Sequence, residues 1–405
     1  MARIWRYRVT NPLREFATLA ALAYATPAVG TPVADIDTPS LVVDLDAMER
    51  NLQRMAQFAQ THGIRWRPHA KMHKSAQMAL RQIAAGAVGV CVQKTAEAIA
   101  LAQGGVRDIY ISNQVVAPHK LARVAALSVA LARADGRLAL AVDSEAGIEG
   151  LAQAMIAAQA APGTIDVFVE IDVGHGRCGA TPERAGALAH AITRHAALRF
   201  AGLQAYHGRA QHLRSADERA QAIAQAAQCV RLACQHVNAA GLAVPLVTGA
   251  GTGTMVHEAS SRLWGELQVG SFLFMDADYR RNMHDPAQPA FEPALFVRSA
   301  VTGCYAAHAV CDAGHKSHAI DSGMPEVHWP AGLQYSSGGD EHGVLRIDTE
   351  RAGGRLPDIG EAVWLIPGHC DPTVNLHDAM VGVRGGLQHG VVDCIIAVDA
   401  RGALT

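Results

Sequence analysis

This 405-residue chain has no large excess of positive or negative charge. Its 35 basic and 37 acidic residues give a formal net charge of −2, so neither a polyanionic partner nor a membrane surface is indicated, and no nucleic-acid binding is expected. Charged residues make up 18% and apolar residues 50% of the chain. This balance is typical of a folded globular protein and argues against disorder.

Two common motifs are also absent. None of the eight cysteines forms a CxxC pair, and several lie in apolar stretches, which predicts reduced thiols in a cytosolic (cytoplasmic) enzyme. No GxGxxG turn follows the first predicted strand, which argues against a dinucleotide-binding site.

The first 35 residues lack a long apolar run. An uncharged stretch over residues 16–34 follows several arginines, and residues 23–25 are typical of an export-signal cleavage site. The stretch is short and weakly apolar, however, and Pro27 and Pro32 exclude a membrane-spanning helix. We therefore predict an N-terminal extension over residues 1–35, with an export signal as the alternative.

Lysine is scarce, with only five among the 35 basic residues. Two of them, Lys71 and Lys74, lie in the segment RPHAKMHK (67–74), directly after a predicted strand. A lysine at a strand end, between two histidines and close to Arg67, is a candidate nucleophile. Neighbouring cations are expected to lower its pKa and free the amine to react with an aldehyde. The alternative is a solvated basic loop.

Strands and helices alternate through the first two thirds of the chain. Short β-rich segments begin near residues 64, 88, 108, 138, 165, 200, 244 and 267, and a helical stretch follows each of the first seven. One of these helices is preceded by a capping box, Ser215 with Glu218. Eight such units predict an α/β fold with a parallel (β/α)8 TIM-type barrel, and a doubly wound open sheet is the alternative. Past residue 285 only short β-rich runs remain, which predicts a C-terminal, mostly-β domain over 285–405.

Polar residues follow the predicted barrel strands, at the edge where barrel enzymes place their catalytic groups. They are His69 and Lys71, Gln93 and Lys94, Asp172 with GHGRCG (174–179), Tyr206 and His207 with His212 beyond, and TGAGTGT (248–254). The last segment predicts a phosphate site, because glycines let backbone N–H groups converge and threonines add donors; a plain turn is the alternative. A phosphate site beside an activated lysine indicates pyridoxal 5'-phosphate.

A second pair of functional side chains, His369 and Asp371, lies in PGHCDP (367–372) of the predicted β domain. Residues two apart in an extended chain point to the same side, so both could bind one divalent metal such as Mn, Mg, Co or Zn. Two protein ligands would leave positions for water or substrate, which suits a catalytic ion. A polar turn between the two prolines is the alternative.

Taken together, these motifs resemble the D-threonine aldolase and D-3-hydroxyaspartate aldolase family. This family is close to the metal-dependent D-serine dehydratases, within the alanine-racemase-like (fold-type III) pyridoxal phosphate enzymes. The resemblance begins near residue 37 and runs to near the C terminus. It rests on DTPSLVVDLD, RPHAKMHKS, VQKTAEA, VEIDVGHGRCG, LQAYHG, TGAGTGT, GSFLFMDADY, DEHGV and PGHCDPTVNLHD. It implies a homodimer, a strand within 36–48 that joins the β domain, and a cofactor-binding barrel over 49–284.

The resemblance also implies a role for each candidate site residue. Those expected to bind the cofactor are Lys71, which would attach it covalently, Gln93, Arg177, Tyr206, Thr248, Gly251 and Thr252. Among them, Arg177 would contact the phenolic oxygen, Tyr206 would lie near the ring, and the last three would hold the phosphate. His369 and Asp371 would bind the metal, and His212 would be the catalytic base. Ala250 departs from the family's Gly-Gly-Gly-Thr-Gly loop and could tilt it.

The activity implied is that of a carbon–carbon lyase. It would cleave D-β-hydroxy-α-amino acids, such as D-threonine or D-3-hydroxyaspartate, to glycine and an aldehyde. One alternative is a D-serine or D-threo-3-hydroxyaspartate dehydratase, which gives a 2-oxo acid and ammonia, and another is a carrier of pyridoxal phosphate without turnover. The dehydratases have a His-x-Cys metal pair, whereas this chain has His-x-Asp, which favours the aldolase.

Overall fold

Two β sheets organise the part of the chain that the computed structural model describes, residues 26–350 and 354–405. The first strand, β1 (Ser40–Asp44), leads directly into the first helix, α1 (Leu45–His62). The Asp44 carboxylate caps α1, and Gly63, with a left-handed φ of 58°, ends it. Residues 1–25 of the expected extension lie outside the described residues.

Eight parallel strands form a closed barrel. They are β2 (Arg65–Trp66), β3 (Val90–Val92), β4 (Asp108–Ile111), β5 (Arg137–Val142), β6 (Ile165–Glu170), β7 (Leu198–Ala205), β8 (Val247–Gly249) and β9 (Glu266–Leu267). Their order is β2-β9-β8-β7-β6-β5-β4-β3, and the two ends of the sheet meet at a parallel bridge between His69 and Cys91. This order follows the chain without reversing. The predicted barrel is thus confirmed, and the doubly wound sheet, which reverses at a switch point, is excluded.

A helix follows each barrel strand. These helices are α2 (Ala76–Ala84), α3 (Thr95–Gln103), α4 (Pro118–Arg133), α5 (Glu145–Ala157), α6 (Ala185–Thr193), α7 (Ala216–Ala239), α8 (Met255–Ser261) and α9 (Ala277–Arg280). The expected capping box begins α7: Glu218 N donates to Ser215 Oγ (3.3 Å), and Ser215 N donates to Glu218 Oε2 (3.2 Å). Aliphatic side chains between strands and helices form the core of the barrel wall.

Inside the barrel, a chain of polar side chains forms the floor beneath the site. Tyr110 donates to Gln204 Oε1 (3.0 Å), and Gln204 exchanges hydrogen bonds with Gln268. Gln268 in turn donates to Thr248, whose hydroxyl donates to Glu266 Oε1 (2.9 Å). Because each of these buried groups has a partner, the floor is rigid and carries little desolvation cost.

The C-terminal domain is built on the second, nine-stranded sheet. Its further strands are β10 (Leu295–Cys304), β11 (Ala309–Cys311), β12 (Glu326–Trp329), β13 (Leu333–Ser337), β14 (Gly343–Ile347), β15 (Ala362–Ile366), β16 (Ala379–Arg384) and β17 (Val391–Ala397), with one short helix, α10 (Cys370–Val374). The main order is β13-β14-β11-β10-β1-β16-β17, and β15 pairs with both β10 and β12. Strand β1 thus lies in the β sheet, antiparallel to β10 and parallel to β16.

The barrel and the β sheet share one apolar core. A single cluster joins α1, the segment before α9 and the sheet, and includes Met48, Phe272, Leu295, Leu365 and Met380. Burying each such side chain stabilises the fold by about 1.5–3 kcal/mol. This core holds the loop after β15, which carries the predicted metal pair, against the C-terminal ends of the barrel strands.

Residues 26–36 lie along the edge of the β sheet. Gly30 N donates to Val392 O (2.8 Å), and the Arg298 guanidinium donates to Ala34 O (2.7 Å) and to Ile36 O. All eight cysteines are free thiols, as expected. Among the residues that the structure describes, no helix is long and apolar enough to cross a membrane.

Candidate active site

A cavity of about 180 Å³ opens where the barrel strands end. It has room for roughly a dozen water molecules, at about 10–15 Å³ each, and therefore for a small ligand. Ten residues were given a role by the resemblance, and seven of them line this cavity: Lys71, Gln93, Arg177, Tyr206, Gly251, Thr252 and Asp371. The other three, Thr248, His212 and His369, lie behind or beside its walls.

Lys71 contacts the β domain directly. It lies in a short 3-10 turn, Ala70–Met72, and its backbone N–H donates to Nδ1 of His69 (3.4 Å). The Lys71 ammonium forms an ion pair with Oδ2 of Asp371, a residue 300 positions further along the chain. The amine of the barrel and the carboxylate of the β domain therefore meet at one point of the cavity.

The expected effect of neighbouring cations on Lys71 is wrong. Burial lowers the pKa of Lys71, but the Asp371 carboxylate outweighs burial, and the net pKa is raised. The nearby cations are already neutralised by carboxylates. Lys74 Nζ lies 2.7 Å from Glu97 Oε1, and the Arg67 guanidinium is paired with Glu266 (3.2 Å) and Asp108 (2.5 Å).

His369 and Asp371 face each other at the start of α10. His369 Nε2 lies 3.8 Å from Asp371 Oδ1, and His369 Nδ1 lies 2.8 Å from Oδ2 of Asp321. With its proton on Nδ1, His369 donates to Asp321 and directs the Nε2 lone pair towards Asp371. A carboxylate behind the imidazole is how metal-binding histidines are commonly oriented. Within residues 26–350 and 354–405, no group of three or more His, Cys, Asp or Glu side chains is arranged around a metal position.

Asp276 fastens α10 to the barrel. This fully buried carboxylate accepts hydrogen bonds from Tyr279 N (3.0 Å) and Cys370 N (3.2 Å). Burial raises its pKa to about 6 in spite of these two donors. Because Cys370 lies between His369 and Asp371, the contact fixes the backbone from which both side chains project.

His212 is held by a buried carboxylate that sequence reasoning missed. His212 Nδ1 lies 2.6 Å from Oδ2 of Asp278, which also pairs with Arg214 (2.5 Å). Burial raises the pKa of Asp278, but Arg214 and then His212 lower it further, and the net pKa is lowered. Asp278 therefore remains ionised and keeps the proton on Nδ1, which leaves Nε2 as the basic atom. The His212 ring packs 5.7 Å from the ring of Tyr279, which lines the cavity.

The predicted phosphate loop, residues 250–254, forms one wall. Gly251 and Thr252 line the cavity, whereas Thr248 lies in the polar floor and donates to Glu266. Thr252 Oγ1 accepts a hydrogen bond from Phe272 N (3.0 Å), so its own proton remains available to a ligand. Ala250 adopts a left-handed φ of 68° and is fully buried. A residue with a Cβ costs about 1–2 kcal/mol in this conformation, which glycine avoids.

The opposite wall carries Gln93, Tyr206 and Arg177. Gln93 Nε2 lies 2.9 Å from Nε2 of His69, a buried ring whose pKa is held well below its usual range, chiefly by burial. Burial raises the pKa of Tyr206 more than Lys71 and Arg177 lower it, so the phenol stays neutral. Arg177 forms no ion pair with any described residue, and its Cζ lies 6.0 Å from the Tyr206 ring centroid.

Several further lining residues were missed by sequence reasoning. They are Ser112, Gln204, Gln268, Ser271 and Tyr279. His69, which the sequence placed at the strand end with Lys71, also lines the cavity. A signal was available for Gln204, which lies near the end of β7, two positions before Tyr206. The remaining residues come from separate segments, and no local pattern brings them together.

Two family models match successive parts of the chain. The family model for the alanine racemase N-terminal domain matches residues 43–278, and the serine dehydratase domain model matches residues 294–383. A D-threonine aldolase from Arthrobacter sp is 43% identical over 378 residues, which cover 92% of this chain and 95% of the relative. A 3-hydroxy-D-aspartate aldolase from Paracoccus denitrificans (strain Pd 1222) is 40% identical over 390 residues, covering 94% and 96%.

This chain belongs to the D-threonine aldolase and 3-hydroxy-D-aspartate aldolase family.

Solved structures agree with that membership. A D-threonine aldolase from Filomicrobium marinum superposes with a TM-score of 0.88 at 44% identity, over 94% of this chain and all (100%) of that one. The D-threo-3-hydroxyaspartate dehydratase from Delftia sp. HT23 is more distant, at 26% identity and a TM-score of 0.77 over 90% and 99% of the two chains. A mutant of that dehydratase has been solved in the metal-free form. The expected alanine-racemase-like fold is confirmed, and so is the expected enzyme class, because aldolases of this family are carbon–carbon lyases.

Proposed function

We propose that this chain is a pyridoxal 5'-phosphate- and divalent-metal-dependent aldolase. It cleaves D-β-hydroxy-α-amino acids, such as D-threonine or D-3-hydroxyaspartate, to glycine and an aldehyde. One observation carries the proposal: Lys71 of the barrel and Asp371 of the β domain pair inside a single cavity. An amine that can hold an aldehyde cofactor and a carboxylate that can hold a metal therefore act on one bound molecule.

The donors around the cavity fit pyridoxal phosphate. Lys71 would hold its aldehyde carbon, and the unpaired guanidinium of Arg177 would contact its phenolic oxygen, with Gln93 and Tyr206 beside the ring. At the other end, the Thr252 hydroxyl and the Gly251 backbone would hold the phosphate. When bound, this cofactor supplies a ring that takes up the electron pair released as the Cα–Cβ bond breaks.

The pair of His369 and Asp371 fits a divalent metal. Metal–ligand bonds of about 2.0–2.2 Å place two donor atoms at most about 4.4 Å apart, and the observed separation of His369 Nε2 and Asp371 Oδ1 is 3.8 Å. Asp321 already directs the imidazole lone pair away from its own carboxylate. A divalent ion supplies Lewis acidity to the β-hydroxyl of the substrate.

The chain's own residues then control the protons. His212 is the candidate acceptor for the β-hydroxyl proton, because Asp278 keeps the Nδ1 proton in place and leaves Nε2 free. Lys71 is the nearest ammonium to the Asp371 side of the cavity and is the candidate donor to the α-carbon. Thr248 supports the phosphate loop from the floor, through Glu266 and Gln268.

We also propose that the two domains have the separate roles expected from the sequence. The barrel (49–284) binds the cofactor, and the β domain (285–405), completed by a strand from 36–48, carries the metal ligands. A homodimer in the cytoplasm is part of the same proposal. Eight free thiols suit a reducing compartment, and light scattering of the purified protein tests the dimer.

The test is product identification combined with location of the cofactor. Incubation with D-threonine and D-3-hydroxyaspartate is expected to yield glycine with acetaldehyde or glyoxylate. Borohydride reduction and peptide mapping are expected to place the label on Lys71. Lys71→Ala should abolish both, whereas Lys316→Ala, at an exposed lysine of the β domain, should change neither. EDTA should remove activity, and Mn²⁺ should restore it. A 2-oxo acid with ammonia would instead identify a dehydratase, and label on another lysine would refute the proposed site.

A further inference from the structure

Behind the phosphate loop, hydrogen bonds connect a buried glutamate to the loop backbone. Thr254 Oγ1 donates to Glu258 Oε1 (2.8 Å) and accepts from Gln211 Nε2 (2.7 Å). Gln211 Oε1 in turn accepts from Gly253 N (3.0 Å). All three side chains are buried, with at most 1% of their surface exposed. None of them contacts the cavity, so any effect on a ligand must pass through the loop.

Glu258 has no positively charged partner among the described residues. Within the described part of the chain, no Lys, Arg or His side chain forms an ion pair with it, and its Oε2 atom is buried without a hydrogen-bond partner. An isolated carboxylate is costly in such a position, so the proton is retained. Burial raises the pKa of Glu258 to about 8, and the hydrogen bond from Thr254 offsets only part of this effect. Burial in this position therefore favours the uncharged carboxylic acid at neutral pH.

The phosphate loop fits tightly against Gln211. A Cβ added at Gly251 would lie 2.5 Å from Gln211 Oε1, and one added at Gly253 would lie 2.8 Å from the Gln211 carbonyl oxygen. The orientation of the Gln211 amide therefore decides where the backbone of residues 251–253 can lie. Thr254 sets that orientation through its hydroxyl, and Glu258 holds Thr254.

We propose that Glu258 is a positioning residue for the cofactor. As a neutral acid it orients Thr254 and Gln211, and through them it shapes the backbone that receives the phosphate. This inference rests on the proposed function, because the anion at the loop is taken to be the phosphate of pyridoxal phosphate. An ionised Glu258 would instead place a negative charge behind a phosphate site.

The test compares variants that keep or remove the hydrogen-bond acceptor. Glu258→Gln keeps shape, neutrality and the acceptor, so pyridoxal phosphate should leave the diluted holoenzyme as slowly as from wild type. Glu258→Leu removes the acceptor, and Thr254→Val removes the hydroxyl that connects Glu258 with Gln211. Each should weaken cofactor binding about fivefold to tenfold, the usual effect of one lost hydrogen bond. The double variant should be no weaker than either single one, because both break the same chain.

A second measurement separates this role from general destabilisation. The ³¹P resonance of the bound cofactor should shift in Glu258→Leu and Thr254→Val and stay in place in Glu258→Gln. Ser128→Ala removes another buried hydroxyl, one that donates to Thr164 O on the far side of the barrel wall, and should change neither reading. Two outcomes would overturn this inference alone. In the first, Glu258→Leu releases the cofactor at the wild-type rate and keeps the wild-type ³¹P resonance. In the second, Glu258→Gln loses as much cofactor affinity as Glu258→Leu. A wild-type protein that binds no pyridoxal phosphate would overturn the proposed function as well.

Discussion

Replacing Asp278 by asparagine tests how the candidate base is prepared. In the native arrangement, Asp278 Oδ2 lies 2.6 Å from His212 Nδ1 and keeps a proton on that atom. Asparagine has nearly the same shape, but its amide can present N–H to the imidazole and favour a proton on Nε2. The atom that must accept the substrate proton would then already carry one.

The size of the effect follows from the hydrogen bond that the substitution removes. A hydrogen bond to a charged group contributes about 1.5–3 kcal/mol; here the Asp278 side chain is 7% exposed, and the His212 ring that it contacts is half exposed. If that energy supports the transition state, kcat should fall by about 10- to 150-fold. KM should change little, because the substituted residue, Asp278, lies behind His212 and does not line the cavity.

The assay is glycine production from D-threonine at saturating Mn²⁺ and pyridoxal phosphate. Asp285→Asn is the matched control, because Asp285 lies 3.7 Å from His257 in another Asp–His pair away from the cavity. A normal kcat in Asp278→Asn would refute His212 as the base. If kcat fell equally in Asp278→Asn and Asp285→Asn, the loss would reflect a general effect on stability and not the preparation of His212.

Three other substitutions test the surrounding structure. Lys74→Met leaves the buried Glu97 without its ammonium, so urea unfolding should show a loss of about 3–5 kcal/mol, partly restored by adding Glu97→Gln. Hydrogen bonds from Arg50 and Arg54 of α1 lower the pKa of Glu292 to about 2. The stabilisation by Glu292 is fully present above pH 4.5 and is lost as the pH falls through 2. Glu292→Gln should therefore cost about 1 kcal/mol at pH 7, discounted for partial exposure, and progressively less as the pH falls towards 2. Gly251→Ala, whose methyl group would lie 2.5 Å from a buried glutamine oxygen, should shift the loop and weaken pyridoxal phosphate binding in fluorescence titration. Each contact would be contradicted by one result. For Gly251→Ala it is an unchanged affinity for the cofactor, and for Lys74→Met it is a free energy of unfolding equal to that of wild type. For Glu292→Gln it is a loss of stability that does not depend on pH.

The barrel could be predicted because each of its units is local. Each unit consists of an apolar strand, a capping residue and a helix with one apolar face, and all three can be recognised within about 30 residues of sequence. The capping box at Ser215 and Glu218 is a clear example. The polar strand ends could be predicted for the same reason, since a closed parallel barrel brings these ends to one rim. Lys71, Gln93, Tyr206 and Gly251 reach the cavity in this way.

Charge states near Lys71 could not be predicted from its neighbours in the chain. The cations beside it, Arg67 and Lys74, suggested a lowered pKa, but both are neutralised by acids from other strands and helices. The residue that does control Lys71 is Asp371, which lies 300 positions away. Coulomb interactions depend on distance in space and on burial, and neither can be obtained from local sequence.

The sequence by itself therefore determined the order of strands and helices, the second β domain and the side chains available at each strand end, because these depend on patterns a few residues long. The tertiary structure alone decided which of those side chains meet. It placed Asp278 behind His212, Asp371 against Lys71 and the buried Glu258 behind the loop of residues 250–254. Such contacts depend on the packing of the shared core between barrel and β domain, in which segments hundreds of residues apart exclude water together.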